Sequence, residues 1–239
     1  MAEEVKVRPY LPSDDAAIAD VCVRTGHLGG DARALYPDHG LLPDLFALPY
    51  VRREPELAFV LDDGARAVGY ILGTADTPGF VRWFREEWLA EVGPRRPPLE
   101  RPPATPTDEM IHLLHTPERL LVPELAGHPA HLHIDLLPGV QRRGFGRALM
   151  AAFLGALAAR GVPRVHLGMV TANEAARPFY DRLGFAELRV ADAGPLTYLG
   201  RSTATDLSAP LVRTPRPGVR GGSRGEAGDE VVPGGFEAG

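Results

Sequence analysis

Apolar positions change period partway along the stretch from His131 to Arg160, and the rest of the chain is arranged around that change. Up to Leu137 the residues are apolar and β-favouring, which predicts a short buried strand. Pro138 and Gly139 break it. From Gly144 onward Leu149, Phe153 and Leu157 recur four apart along one helical face, closed by Gly161 and Pro163.

Before this unit, Val5, Val7 and Tyr10 predict a first strand. A helix follows, with Ser13 as N-cap, acidic residues in its first turn and an apolar stripe of Ile18, Val21 and Cys22; Gly26 stops it. The segment from His27 to Tyr50 reads as a loop with a short helix near Leu41 to Ala47. Leu57 to Leu61 and Ala67 to Leu72 flank Asp62-Asp63-Gly64, a hairpin signal. An insertion then runs over 74–129. Phe80 to Val92 predicts a helix carrying Trp83 and Trp88. Proline recurs from Pro94 to Pro106 and forbids regular structure, and Asp108 to His115 predicts a further short helix.

After the central unit, Arg164 to Val170 reads as a strand. A helix capped by Asn173 or Thr171 and running to Leu183 follows; Pro178 removes one hydrogen bond, and a local bend is expected beside Tyr180. Glu187 to Val190 and Leu196 to Leu199 predict closing strands. The expected domain spans 1–203, and 204–239, rich in glycine and proline, is expected to be a disordered tail.

Composition narrows the function classes. A formal net charge of −5 argues against a nucleic-acid partner. The single cysteine excludes an intramolecular disulfide framework and fits a reducing compartment; it reads as a small buried hydrophobe. No apolar run is long enough for a membrane span, and the polar start is unlike a signal peptide. A cytoplasmic protein is expected.

The chemistry concentrates between strand and helix, in Gln141-Arg142-Arg143-Gly144-Phe145-Gly146 and Arg147. Glycines let backbone N–H groups approach a ligand, and the unpaired donors of a helix's first turn favour a phosphate. Three arginines at that end oppose the helix dipole unless an anion sits among them.

Gln141-x-x-Gly144-x-Gly146 after a strand resembles the acetyl-CoA pyrophosphate loop of the GNAT superfamily of N-acetyltransferases. Asn173-x-x-Ala176-x-x-Phe179-Tyr180-x-x-Leu183-Gly184-Phe185 resembles a second segment of that family at the expected distance. Leu35 to Leu42 and Pro129 to Pro138 are similar to bacterial relatives of the acetyltransferase-like domain of eukaryotic O-GlcNAcase. The resemblance implies a single α/β domain, with a mixed, splayed sheet of six to seven strands flanked by helices. It also implies acetyl-CoA as co-substrate and an amine as acceptor, held in a small molecule or a peptide. The eukaryotic domain is regarded as a pseudo-acetyltransferase lacking the cofactor loop. Here Gln141, Gly144 and Gly146 are intact, so cofactor binding is expected.

By the same resemblance, the pantetheine arm lies between the strands at Ile134 and Val165, with a backbone N–H of Leu136 or Leu137 on the thioester oxygen. A bulge before Pro138 would expose that group. Tyr180 is the candidate acid; its plainer reading is a tyrosine packed on the cofactor wall. Asn173 contacts the cofactor arm, caps a helix, or does both.

Strand alternation puts His131, His133 and Asp135 on one face, with Asp135 as candidate base and His133 as helper. Two other readings stand beside this one. The H-x-H-x-D triplet offers metal ligands for a hydrolase, but lacks the further histidine that such motifs carry, position 136 being Leu136. A GNAT-shaped module without catalysis would bind cofactor only. Asp31, Asp38 and Asp44 suggest a cationic amine, against the plain reading of solvated carboxylates. Trp83 and Trp88 would line the cleft, form a homodimer face, or pack in the core, the last being usual for such a pair.

Overall fold

A computed structural model describes residues 5–204 and Leu207. The tail expected over 204–239 otherwise lies outside the described residues. The elements in chain order are β1 (Lys6–Pro9), α1 (Asp15–Thr25), α2 (Leu41–Phe46), α3 (Leu48–Arg53), β2 (Phe59–Asp62) and β3 (Ala67–Thr74). Then come α4 (Thr77–Trp83), α5 (Leu89–Val92), α6 (Pro106–Leu114), β4 (Ala130–Leu136), α7 (Phe145–Ala159), β5 (Arg164–Val170), α8 (Arg177–Arg182), β6 (Ala186–Leu188) and β7 (Leu196–Ser202).

The strands form one seven-stranded sheet in the order β1-β2-β3-β4-β5-β7-β6, mixed as expected. Every neighbouring pair is antiparallel except β4 and β5. That parallel pair holds register only at Ala130↔Val165 and His131↔His166. Beyond His131 the two strands part, although β4 stays paired to β3 through Leu136 and β5 to β7 through Val170. The sheet is therefore split down its middle toward the C-terminal ends of β4 and β5.

One face of the sheet carries α7, whose Phe153 lies so close to Gly73 that an added Cβ would meet its ring at 2.5 Å. The other carries α1 and α3, packed on β3. Leu132, Ile134, Leu149, Met150, Phe153 and Leu157 are all buried between strand and helix, the stripe that the helical spacing implies. Cys22 is free and buried, as its place on the α1 stripe required.

Several local expectations are corrected. Ser13 does not cap α1; a 3-10 turn over Pro12–Asp14 precedes it, and the Asp14 carboxylate accepts from Leu11 N–H at 2.8 Å. α3 begins at Leu48, inside the stretch read as loop, and runs past its end at Tyr50 to Arg53. The aromatic helix runs α4, then a π-turn over Phe84–Trp88, then α5. Trp88 is core, with Nε1–H donating to Asp44 O at 2.7 Å, and Trp83 stacks on it. α8 begins only at Arg177, so Pro178 falls in the first turn, where a missing N–H costs no hydrogen bond and no bend is needed.

Candidate active site

The split in the sheet and the start of α7 border one cleft of about 900 Å³. Gln141, Arg142, Gly144, Gly146 and Arg147 line it at the helix end, with Leu136 at the end of β4 and Asn173, Ala176, Phe179 and Leu183 on the α8 side. Gly144 takes φ +88° as it hands the chain into α7, a conformation that a side chain would strain. Arg142 also has a positive φ, of 58°. Gly146 lies against the ring of Phe179, which a Cβ would meet at 3.0 Å. Both glycines thus have a geometric reason, and the α7 N–H groups face an opening with arginines at its rim. The Gln141 side chain turns back to donate from Nε2 to Leu136 O at 2.8 Å, tying loop to strand. Arg143 lies over the Phe145 ring, 5.1 Å from its centroid, outside the cleft lining.

The backbone at the end of β4 divides the two candidate oxyanion donors. Leu137 N–H donates to Val68 O at 3.0 Å, so it is already committed to β3. An antiparallel ladder bonds alternate residues to one neighbour. Leu136 N–H therefore points the other way, toward the side from which β5 has departed. The register through Leu136 is regular, without the bulge expected before Pro138. Strand divergence, not a bulge, exposes the donor.

Asn173 lines the cleft, and its Oδ1 accepts from Ala176 N–H at 3.2 Å, closing the turn before α8 rather than capping the helix itself, whose N-cap is Ala176. Tyr180 is fully buried, edge-on to Phe179 at 5.1 Å and Phe185 at 5.6 Å. It sits behind the cleft wall that Ala176, Phe179 and Leu183 form.

The face carrying His131, His133 and Asp135 does not gather them as one ligand set. Asp135 is buried beside its cross-strand partner Tyr70. Tyr70 and Cys22 are buried with it, and burial together with the Asp135 charge pushes both the Tyr70 phenol and the Cys22 thiol up. The histidines turn instead to Tyr50 of α3, whose hydroxyl lies 2.8 Å from His131 Nε2 and 3.0 Å from His133 Nε2.

Chemistry orders this chain. The Thr77 hydroxyl donates to Pro129 O at 2.8 Å, because a carbonyl can only accept. Thr77 Oγ1 then accepts from His131 Nδ1–H at 2.8 Å, leaving His131 Nε2 to accept from Tyr50. With its proton so used, the Tyr50 oxygen accepts from His133 Nε2–H, and His133 Nδ1 keeps the lone pair. Burial favours the neutral rings: it holds His131 well below the usual imidazole range and His133 at about 4. The Tyr50 phenol is raised by burial and stays protonated. With both of its nitrogens engaged, His131 is unsuited to the metal-ligand role.

Sequence reading missed Tyr50 and Thr77, and also Leu28 and Gly29 on the cleft rim. These last two take φ 51° and 76° between His27 and Gly30, which exchange hydrogen bonds of 2.9 and 2.7 Å. The glycines there signalled a turn, but not which wall it would build. The three aspartates read as recognising a cation are spent on arginines: Asp31 on Arg33, Asp38 on Arg96, and Asp44 on Arg95 and Arg96.

The sequence profile of the acetyltransferase (GNAT) family matches residues 31–185. The chain is 61% identical to SsHAT over 84% of its own length and 100% of that chain, and their structures agree with a TM-score of 0.82. It is 25% identical over 200 residues to protein O-GlcNAcase of Rattus norvegicus, covering 82% of this chain but only 22% of that protein. It is also 44% identical over 72 residues to mycothiol acetyltransferase of Beutenbergia cavernae, 30% of this chain and 24% of that one. Among the described residues no helix is long and apolar enough to cross a membrane.

Proposed function

The chain belongs to the acetyltransferase (GNAT) family, and we propose that it moves an acetyl group from acetyl-CoA directly onto an amine. The observation that carries this is the opening of β4 from β5 beside the glycine-lined start of α7, in one continuous cleft. Residues there fit the cofactor. Main-chain N–H groups of Gly144 to Arg147 and the side chains of Arg142 and Arg147 suit a diphosphate. Arg143 adds charge nearby. Leu136 N–H and Asn173 suit the pantetheine arm and thioester, which would bond exposed backbone as an added strand does.

Acetyl-CoA supplies the acetyl group already activated as a thioester. Transfer exchanges the C–S bond for an amide C–N bond; one proton leaves the amine and one arrives at sulfur. Leu136 N–H would bond the carbonyl oxygen as it gains charge. Tyr180, buried next to the cleft-lining Phe179, is proposed to protonate the sulfur, which requires the thioester end of the cofactor to reach its hydroxyl; an ordinary phenol (~10) and thiol (~8.5) make such a transfer mildly uphill. Asp135, one residue before Leu136 and buried beside Tyr70, is proposed as the base, acting through water. A second candidate, His133, is favoured by its partial exposure and by the lone pair left on Nδ1.

The test is release of free thiol from acetyl-CoA in the presence of an amine panel, with Tyr180→Phe, Asp135→Asn and His133→Gln beside the natural chain. Turnover that needs an amine and falls in Tyr180→Phe supports the proposal. Cofactor binding without turnover would favour a binding module, and the eukaryotic relatives' broader activities give no reason to expect more here.

A further inference from the structure

Beside the split lies a guanidinium that forms no ion pair among the described residues, that of Arg119. Arg119 lies in the 3-10 turn Pro117–Leu120 of the insertion, which packs on α4. Phe80 of α4 in turn stacks on Tyr50, with centroids 4.4 Å apart. The Arg119 charge bears on Tyr50 of α3, His131 and His133 of β4, and Tyr198 of β7. Tyr50, Phe80 and His131 form one ring cluster beside the parted strands, and the contact with α4 brings the Arg119 turn to its edge. Tyr198 helps to fix that place, because its ring lies over Gly168 of β5, 3.2 Å from where a Cβ would stand.

Among the described residues the one acidic charge that acts on Arg119 is that of Glu118. Arg119 Nη1 donates to Leu113 O at 2.8 Å and Thr116 O at 3.2 Å, both neutral carbonyls. Its sequence neighbour Glu118 is bound to Arg85. Among the described residues Arg119 has no ion pair, whereas Arg8, Arg52, Arg96, Arg160 and Arg177 each have one. The imidazoles and phenols beside it are neutral, and a half-buried cation without an anion is costly. Capping the α6 carbonyls accounts for one nitrogen of the fork only.

Resting on the acetyl-transfer reading, we propose that Arg119 binds a carboxylate of the acceptor, so that the substrate class is an amine that carries a carboxylate. The insertion would thus contribute a specificity group. It also replaces the cationic amine that Asp31, Asp38 and Asp44 suggested.

The test uses the full chain, acetyl-CoA and matched acceptors: amino acids of varied length, each with its neutral carboxamide. The natural chain should favour the acids by at least about tenfold in kcat/KM, the worth of one charge-assisted hydrogen bond. Arg119→Met should bring that ratio to within about twofold, mainly through KM, whereas Arg119→Lys keeps part of it. Circular dichroism and melting show whether each variant is folded. Equal use of acids and amides by the natural chain, or an unchanged ratio in folded Arg119→Met, overturns the proposal. If no amine is acetylated, calorimetry with N-acetyl amino acids and their amides decides the matter separately. Binding that needs both the carboxylate and Arg119 upholds the site while the transfer reading fails; binding indifferent to either overturns it.

Discussion

The Tyr50 hydroxyl and His133 Nε2 lie 3.0 Å apart, although 83 positions separate them in the chain. Through that contact α3 sets the tautomer of a β4 imidazole beside the split sheet. Tyr50→Phe removes the shared oxygen and leaves one buried nitrogen of His131 and one of His133 without a partner. The expected loss is about 1–3 kcal/mol of stability, read by denaturant titration. Turnover should fall, with acetyl-CoA affinity within about twofold because Tyr50 does not line the cofactor cleft. Unchanged stability would show that the hydroxyl orders neither ring.

The buried imidazoles set the sign of the pH dependence. His133 and His166 are held at about 4 and His131 well below its ordinary value, burial being the main cause for each. Arg119 lowers His131 and His133 further. Above pH ~7 both folded and unfolded rings are neutral and contribute no slope. As pH falls through ~6.5 the unfolded rings take protons while the folded ones resist, so stability declines toward pH ~4. Melting temperatures from pH 8 to 4.5 should drop more steeply for the natural chain than for His166→Gln. Equal slopes would contradict burial of a neutral ring at that position.

Leu28 carries a different trade. Its φ of 51° is unfavourable for a branched side chain, yet it is 41% exposed on the cleft rim. Leu28→Gly relieves the strain, and melting should show a gain of about 1 kcal/mol. Acetyl-CoA should bind several-fold more weakly if that apolar contact serves the ligand. A variant both less stable and equally avid would remove Leu28 from the site.

What the sequence made legible is local. Four-residue spacing of Leu149, Phe153 and Leu157 placed α7, and the β-favouring run before Pro138 placed β4; both depend on one element's exposed and buried faces. Gly144 and Gly146 announced a backbone approach to a phosphate, but not the local geometry that each meets: φ +88° at one, the Phe179 ring at the other. The contacts made across the sheet were not legible. Nothing near His131 points to Tyr50 or Thr77, and nothing near Asp44 points to Arg96. Both sets depend on how the insertion folds back. Asp135 looked open because alternation puts it on the same face as His133, yet α1 covers one end of that face and leaves the other partly exposed. The missing bulge has the same origin, since a sheet can expose an N–H by parting two strands, and periodicity within one strand carries no trace of its neighbour's departure.

The grip on a diphosphate by the α7 N-terminus is measured most directly by calorimetry of the natural chain with acetyl-CoA and with acetyl-pantetheine, which has the thioester but no diphosphate. Acetyl-CoA should bind saturably and stoichiometrically, and acetyl-pantetheine more weakly by at least about a hundredfold, given several charge-assisted bonds to phosphate. Equal affinity for the two, or no binding of acetyl-CoA, would contradict it.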